Sequence, residues 1–199
     1  MKKWISFTLW LVFFCQGFGA VSDPVIGIQP LGPVKKEDVA RVKAGLQALY
    51  SVEVEVLPEI PLPKMAWYPP RERYKADKLL EFLSTQTAGR VTKVIGLTAQ
   101  DISTSKGEIA DWGIFGLGQL GGRACVVSTF RLRAGKVKTP VFHARLAKVV
   151  NHELGHTLGL DHCPTADCLM QDAGGKIATV DGESGKPCAE CASRLPMVK

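Results

Sequence analysis

Residues 150–163, V-N-H-E-L-G-H-T-L-G-L-D-H-C, decide how the rest of the chain can be organised. Residues four apart lie on the same face of a helix, so His152 and His156 can present their imidazoles to one metal ion. Glu153 follows the first of these ligands and can face a water molecule bound to that ion. The spacing therefore indicates a helix that carries a metal site together with a general base.

Gly159 and His162 extend this pattern beyond the helix. Glycine tolerates the positive φ that ends a helix and turns the chain back, so Gly159 allows His162 to supply a third ligand. Three histidines leave one position of a tetrahedral zinc ion open for water. The full pattern, H-E-x-x-H-x-x-G-x-x-H, indicates zinc-dependent hydrolysis and is far more specific than H-E-x-x-H alone.

Hydrophobic periodicity predicts strands and helices in alternation before this segment. Strands are predicted within 21–34, at 52–57, at 91–98 and twice within 114–132, the second of these at 124–132. Helices are predicted at 36–50, 74–86 and 140–158, with the proline-rich 58–70 and the polar 99–113 as loops. The last helix is predicted to bury Val141, Leu146, Val149, Val150 and Leu154. This order predicts one α/β domain with a mostly parallel sheet.

The first 20 residues are predicted to form a secretory signal peptide. Lys2 and Lys3 precede an apolar run at 4–14, and cleavage after Gly19 or Ala20 would suit a signal peptidase. We therefore expect export to the periplasm or the extracellular space, with a single domain at 21–199. An uncleaved anchor is the alternative, although the apolar run is well short of the ~20 residues that a membrane span needs.

The amino-acid composition indicates which kinds of binding partner to expect. The 199 residues carry a formal net charge of +6, and 46% are hydrophobic and 22% charged, as in an ordinary globular domain. Basic residues are spread along the chain without aromatic interleaving, so nucleic-acid binding is not expected. We expect a monomer that acts on a peptide or protein substrate and has no stable membrane span after signal cleavage.

Four cysteines crowd into the end of the chain, around Met170. Cys163 follows His162 directly, and Cys168, Met170 and the C-A-E-C run of Cys188 and Cys191 come after it. The whole string, 152–191, resembles the archaemetzincins, a family of metzincin-like zinc peptidases, with matching spacings throughout. Residues 114–132 look more loosely like the strand that borders the active-site cleft in that family.

This resemblance implies a zincin-like twisted, mostly parallel sheet with an active-site helix and a small C-terminal segment stapled by zinc. It implies two Zn²⁺ ions, a catalytic one held by His152, His156 and His162 and a structural one held by Cys163, Cys168, Cys188 and Cys191. Glu153 would be the catalytic base, and Met170 would lie beneath the histidines as a hydrophobic floor.

Several alternatives stay open at this point. In an oxidising compartment the pairs Cys163–Cys168 and Cys188–Cys191 could instead be disulfides. The same fold could serve a non-catalytic zinc- or peptide-binding protein, and endopeptidase and aminopeptidase activity are not distinguished. Cys125 is expected to be a buried apolar residue. His143 is expected to face away from the metal, and no tyrosine follows Met170 to stabilise an oxyanion.

Overall fold

The computed structural model describes residues 24–195 and is built on a five-stranded sheet. Its strands are β1 (Val25–Leu31), β2 (Glu53–Val56), β5 (Lys93–Thr98), β8 (Gly116–Gly118) and β9 (Ala124–Ser128), in the order β2-β1-β5-β9-β8. Every pairing is parallel except that of β8 with β9. The prediction of an α/β domain with a mostly parallel sheet is confirmed.

Helices cover both faces of this sheet. Helix α1 (Lys36–Leu49) and helix α4 (Thr139–Thr157) share one hydrophobic core, and helix α2 (Ala76–Gln86) packs in the other. Successive residues of a buried strand point to opposite faces, and Val94 and Ile95 accordingly belong to different cores. Strand β5 shows no alternation of apolar and polar residues because helices cover both of its faces.

A second sheet, absent from the sequence prediction, corrects the assignment of 99–113 as a loop. Strands β6 (Ile102–Lys106) and β7 (Ile109–Ile114) form a hairpin, and the sheet is completed by β3 (Trp67–Tyr68) and β4 (Arg73–Lys75) in the order β3-β4-β6-β7. Gly107 lies at the hairpin turn with a φ of 55°. Part of the proline-rich segment 58–70 thus also joins a sheet.

The region around helix α4 needs two smaller corrections. The strand predicted at 124–132 ends at Ser128, and helix α3 (Thr129–Leu132) follows at once because the Ser128 side chain accepts a hydrogen bond from the Phe130 N–H. In α4 the predicted core residue Val141 is 42% exposed, and its neighbour Phe142 is buried instead. The other four predicted core residues of this helix are buried.

Two short helices near the end of the chain, α5 (Ile177–Gly182) and α6 (Ala189–Ser193), follow the cysteine-rich turn. Across residues 24–195, no helix combines the length and the hydropathy that crossing a membrane requires. The predicted signal peptide at 1–20 lies outside the described residues, and the domain boundary after it stays a prediction.

Candidate metal centre and active-site cleft

Helix α4 is fixed at its functional end by contacts from distant parts of the chain. The Tyr50 hydroxyl, just after α1, donates a hydrogen bond of 3.2 Å to the carbonyl of Asn151. The Lys93 ammonium donates at 2.6 Å to the carbonyl of Thr157, the last helical residue. Gly159 then has a φ of 93°, the left-handed geometry that turns the chain back. The predicted bend after the helix is confirmed.

The three predicted histidines meet on the open side of this helix end. Their potential ligand atoms lie within 4.8 Å of one another. The Nδ1 of His152 lies 2.7 Å from the Leu169 carbonyl, and the Nδ1 of His156 lies 2.8 Å from the Leu160 carbonyl. Each carbonyl requires a proton on that Nδ1, which leaves Nε2 as a bare acceptor. Burial lowers the pKa of His152 to about 4, so its imidazole is neutral, as a metal ligand must be.

The arrangement of the Nε2 atoms fits a cation. Those of His152 and His156 are 3.0 Å apart, a distance at which two lone pairs repel unless something positive lies between them. Two corners of a tetrahedron around zinc, with Zn–N bonds of about 2.0–2.1 Å, are roughly 3.3 Å apart. His162 is exposed to the cleft and completes the set. The donor atoms therefore match a three-histidine zinc site.

Glu153 is held against the glycine-rich strand β8. A Cβ added to Gly116 would lie 2.6 Å from the Glu153 Cγ, and one added to Gly118 would lie 2.5 Å from the Glu153 carbonyl oxygen. Only glycine permits this approach, and the Gly118 N–H donates a hydrogen bond to the carboxylate. Burial raises the pKa of Glu153 to about 8. The carboxylate therefore lines the same cleft as the histidines in a fixed position with a high proton affinity.

Met170 lies directly beneath the histidine helix. It is fully buried, and a Cβ added to Gly155 would lie 2.5 Å from its sulfur. Gly155 stands between the residues Leu154 and His156, so the sulfur fills the space where a side chain would otherwise project. The methionine floor that the family resemblance implied is present.

The four predicted cysteines also come together, with their sulfur atoms within 4.8 Å of one another. The Cys163 and Cys188 sulfurs are 3.8 Å apart. A Zn–S bond of about 2.3 Å gives roughly 3.8 Å between two corners of a tetrahedron. The Cys168 sulfur accepts backbone N–H groups from Met170 at 3.4 Å and Cys188 at 3.3 Å. This donor set fits a closed tetrathiolate zinc site.

Backbone hydrogen bonds join the two clusters. The Cys163 N–H donates at 2.8 Å to the Met170 carbonyl, and Leu169, between Cys168 and Met170, supplies the carbonyl that orients His152. The turn that carries the second cysteine therefore also positions the first histidine.

A cleft of about 450 Å³ passes over the histidines. One wall is formed by β8 and the β6–β7 hairpin, including Lys106 and Trp112, and the other by 171–175 and α5. Lys148 and Glu183 line it as well. Trp112 and Lys106 were not predicted as cleft residues because 99–113 was assigned as a loop, although Gly107 within this polar run is a turn signal for a hairpin.

The predictions for His143 and Cys125 are confirmed. His143 lies 3.6 Å from a carboxylate oxygen of Asp38 and does not belong to the histidine cluster. Cys125 is fully buried in the core, and burial raises the pKa of its thiol. Among the described residues that line the cleft there is no tyrosine.

The fold and the histidine site define a zinc metallopeptidase. The sequence model of Peptidase family M54 matches residues 37–197, and the chain belongs to that family. The archaemetzincin of Halobacterium salinarum is 32% identical over 173 residues, which are 83% of this chain and 96% of the relative. The resemblance to archaemetzincins is confirmed.

Solved structures agree in fold. The crystal structure of archaemetzincin from Archaeoglobus fulgidus, complexed with malonate, matches with a TM-score of 0.73 and 30% identity over 86% of this chain and 99% of that one. Archaemetzincin from Methanopyrus kandleri matches with a TM-score of 0.75 and 28% identity, over 89% and 96% of the two chains.

Proposed function

We propose that the chain hydrolyses peptide bonds with Glu153 as general base beside a zinc ion held by His152, His156 and His162. The observation that carries this proposal is the convergence of three imidazoles and one buried carboxylate on a single cleft. Such a set has donors for the metal and a separate group for the proton, and hydrolysis requires both.

Each residue has a part in the reaction. Zinc, when bound, supplies Lewis acidity toward a peptide carbonyl and toward water. Glu153 accepts a proton from the attacking water on its carboxylate and delivers it to the leaving amine. The Gly118 N–H holds that carboxylate in place. Strand β8 pairs with β9 on one side, and its other edge can pair with an extended substrate.

A second zinc ion, at Cys163, Cys168, Cys188 and Cys191, would be structural, because four thiolates leave no open position. It would staple the short helices α5 and α6 to the active-site turn, where they have too little core to be stable alone. Supporting this is the sulfur geometry, which fits a zinc tetrahedron.

The decisive experiment replaces Glu153→Gln and measures metal content and peptide hydrolysis together. We expect two zinc ions per chain in both proteins and hydrolysis only in the wild type. Cys188→Ser should retain one zinc. Equal hydrolysis by Glu153→Gln and wild type would refute the general-base role. One zinc with four oxidised cysteines would refute the structural zinc.

The competing function is non-catalytic binding of zinc or peptide on the same fold. The buried carboxylate favours catalysis over this alternative, because it lines the same cleft as the three histidines, where it can take a proton from water. A wild-type protein that holds two zinc ions, binds peptides and cleaves none in a broad library would establish the alternative.

We further propose that the protein is exported and acts as a monomer. Support for export comes from the basic and then apolar composition of residues 1–20. Cell fractionation and N-terminal sequencing test export, and cleavage after Gly19 or Ala20 is expected. Sedimentation of the mature chain tests the oligomeric state.

A further inference from the structure

The two walls of the cleft that contains the histidines touch each other at one place. Trp112 of the hairpin lies against the loop at Gly175, where an added Cβ would be 3.3 Å from its Cζ2 and 3.4 Å from its Nε1. Gly174 and Gly175 have φ values of 54° and 75°. Because both residues are glycines in the left-handed conformation, the loop backbone contacts the indole with no side chain in between. Since all three residues line the cleft, the cleft is bounded where they meet.

The hairpin wall is firmly anchored. The Arg131 guanidinium donates to both carboxylate oxygens of Asp101, at 2.7 and 2.9 Å, beside the root of the hairpin. It also lies flat on Gly113 of β7, where an added Cβ would be 2.2 Å from the guanidinium carbon. The Lys75 ammonium donates at 2.6 Å to the Ala110 carbonyl near the hairpin tip. Strand β7 is therefore a fixed edge of the cleft.

The opposing loop is held to the hairpin by weaker forces. Its hydrogen bonds from Gly174 N–H to Asp172, 2.7 Å, and from Lys176 N–H to the Ala173 carbonyl, 2.8 Å, lie within the loop itself. Lys106 lies on the hairpin itself, with its ammonium 5.4 Å from the centre of the indole of Trp112, and it attracts the Asp172 carboxylate of the opposing loop. The packing of the loop on the indole and this attraction both favour closure.

We propose that the contact between Trp112 and Gly175 determines substrate length. A long polypeptide that extends past this contact would have to separate the two walls. A peptide whose end lies at the contact binds without separating them. The substrates would be peptides cut near one terminus. This inference rests on the proposed peptide hydrolysis and adds the length limit to it.

Binding measurements with zinc-loaded Glu153→Gln protein test the length limit without turnover. Fluorescent peptides are extended one residue at a time, first from one end and then from the other. We expect extension past one end to weaken binding about tenfold or more, and extension at the other end to have little effect. In the same background Trp112→Ala should reduce that penalty to about twofold or less, whereas Trp112→Phe should retain it.

Matched controls separate the contact from general damage. Ile109 lies on the same strand and is 47% exposed, so Ile109→Ala should keep the length limit. If Trp112→Ala fails to fold, Trp112→Leu shortens the same side chain while keeping it apolar, and it should reduce the length penalty in the same direction.

Failure of the length limit and failure of peptide hydrolysis give different results in these experiments. An unchanged length limit in both Trp112→Ala and Trp112→Leu would overturn the inference even if wild-type turnover is normal. Equal tolerance of extension at both ends by the parent protein would overturn it as well. If the parent protein binds no peptide and the wild type cleaves none, the inference and the proposed function fail together.

Discussion

Replacing Gly155 by alanine tests the contact between the histidine helix and its methionine floor. The added Cβ would lie 2.5 Å from the Met170 sulfur, so the sulfur must move by about 1 Å to reach an ordinary contact distance. Met170 is fully buried, so its sulfur can move only by displacing or repacking against neighbouring core side chains. Overpacking of this kind costs about 1–3 kcal/mol, and the flexibility of a thioether keeps the cost here to about 2 kcal/mol.

Helix propensity acts in the opposite direction. Alanine is more favourable than glycine inside a helix by up to about 1 kcal/mol. We therefore expect a net loss of about 1 kcal/mol in the free energy of unfolding, measured by urea denaturation at a fixed free zinc concentration. Because Leu169 adjoins Met170 and orients His152, we also expect roughly tenfold weaker zinc binding.

Gly182→Ala is the control for this experiment. Gly182 is also helical, but an added Cβ would meet no atom within 4 Å. Its replacement should leave stability unchanged or raise it by up to about 1 kcal/mol. If Gly155→Ala unfolds at the same urea concentration as Gly182→Ala and binds zinc as the wild type does, the methionine floor does not support the site.

Three further predictions concern the base, the pH dependence and the metal. Gly116→Ala should displace the Glu153 carboxylate and lower kcat/KM about 100-fold, with zinc content unchanged. Hydrogen bonds from Arg145 lower the pKa of Asp181 below its ordinary 3.8, so this contribution to stability is complete above that value and is lost as the pH falls through the lower, folded-state pKa. Asp181→Asn should therefore flatten the acid limb of a plot of stability against pH, and an identical limb would refute that role. Chelation should lower the free energy of unfolding by about 4 kcal/mol or more, and calorimetry should show recovery when zinc is restored.

The metal-bearing segment was predictable because its signals are local. The spacing of His152, His156 and His162 around Gly159 depends on helix geometry and on one left-handed residue. Both features are present in the structure. The buried strands near the centre of the main sheet were predictable for a similar reason, since strands covered on both faces are continuous apolar runs.

The β6–β7 hairpin was not predictable in the same way. Only Ile102 and Ser103 of β6 are buried, and the rest of the strand is polar and more exposed. Its stability comes from pairing with β4, which is parallel and distant in sequence, and from ion pairs around Asp101. Neither contribution leaves a periodic hydrophobic pattern. Gly107 at the turn was the one local signal.

The helix that follows β9 shows a different limit. Phe130 and Leu132 alternate as they would in a strand, yet Ser128 caps a helix at this point. Phe130 is 56% exposed, so burial gives it no reason to stay in the sheet. A single capping hydrogen bond therefore decided the conformation against the hydrophobic pattern.

The hydrogen bond from Tyr50 to Asn151 has a consequence for how the protein matures. It joins groups 101 residues apart, directly beside the first histidine. Contacts of such long range form late in folding, because a large loop must close before they gain anything. Until then His152 and His156 sit on a helix without its final support. Correct metal loading is thus coupled to completion of the fold, and zinc captured too early would meet an unfinished set of ligands.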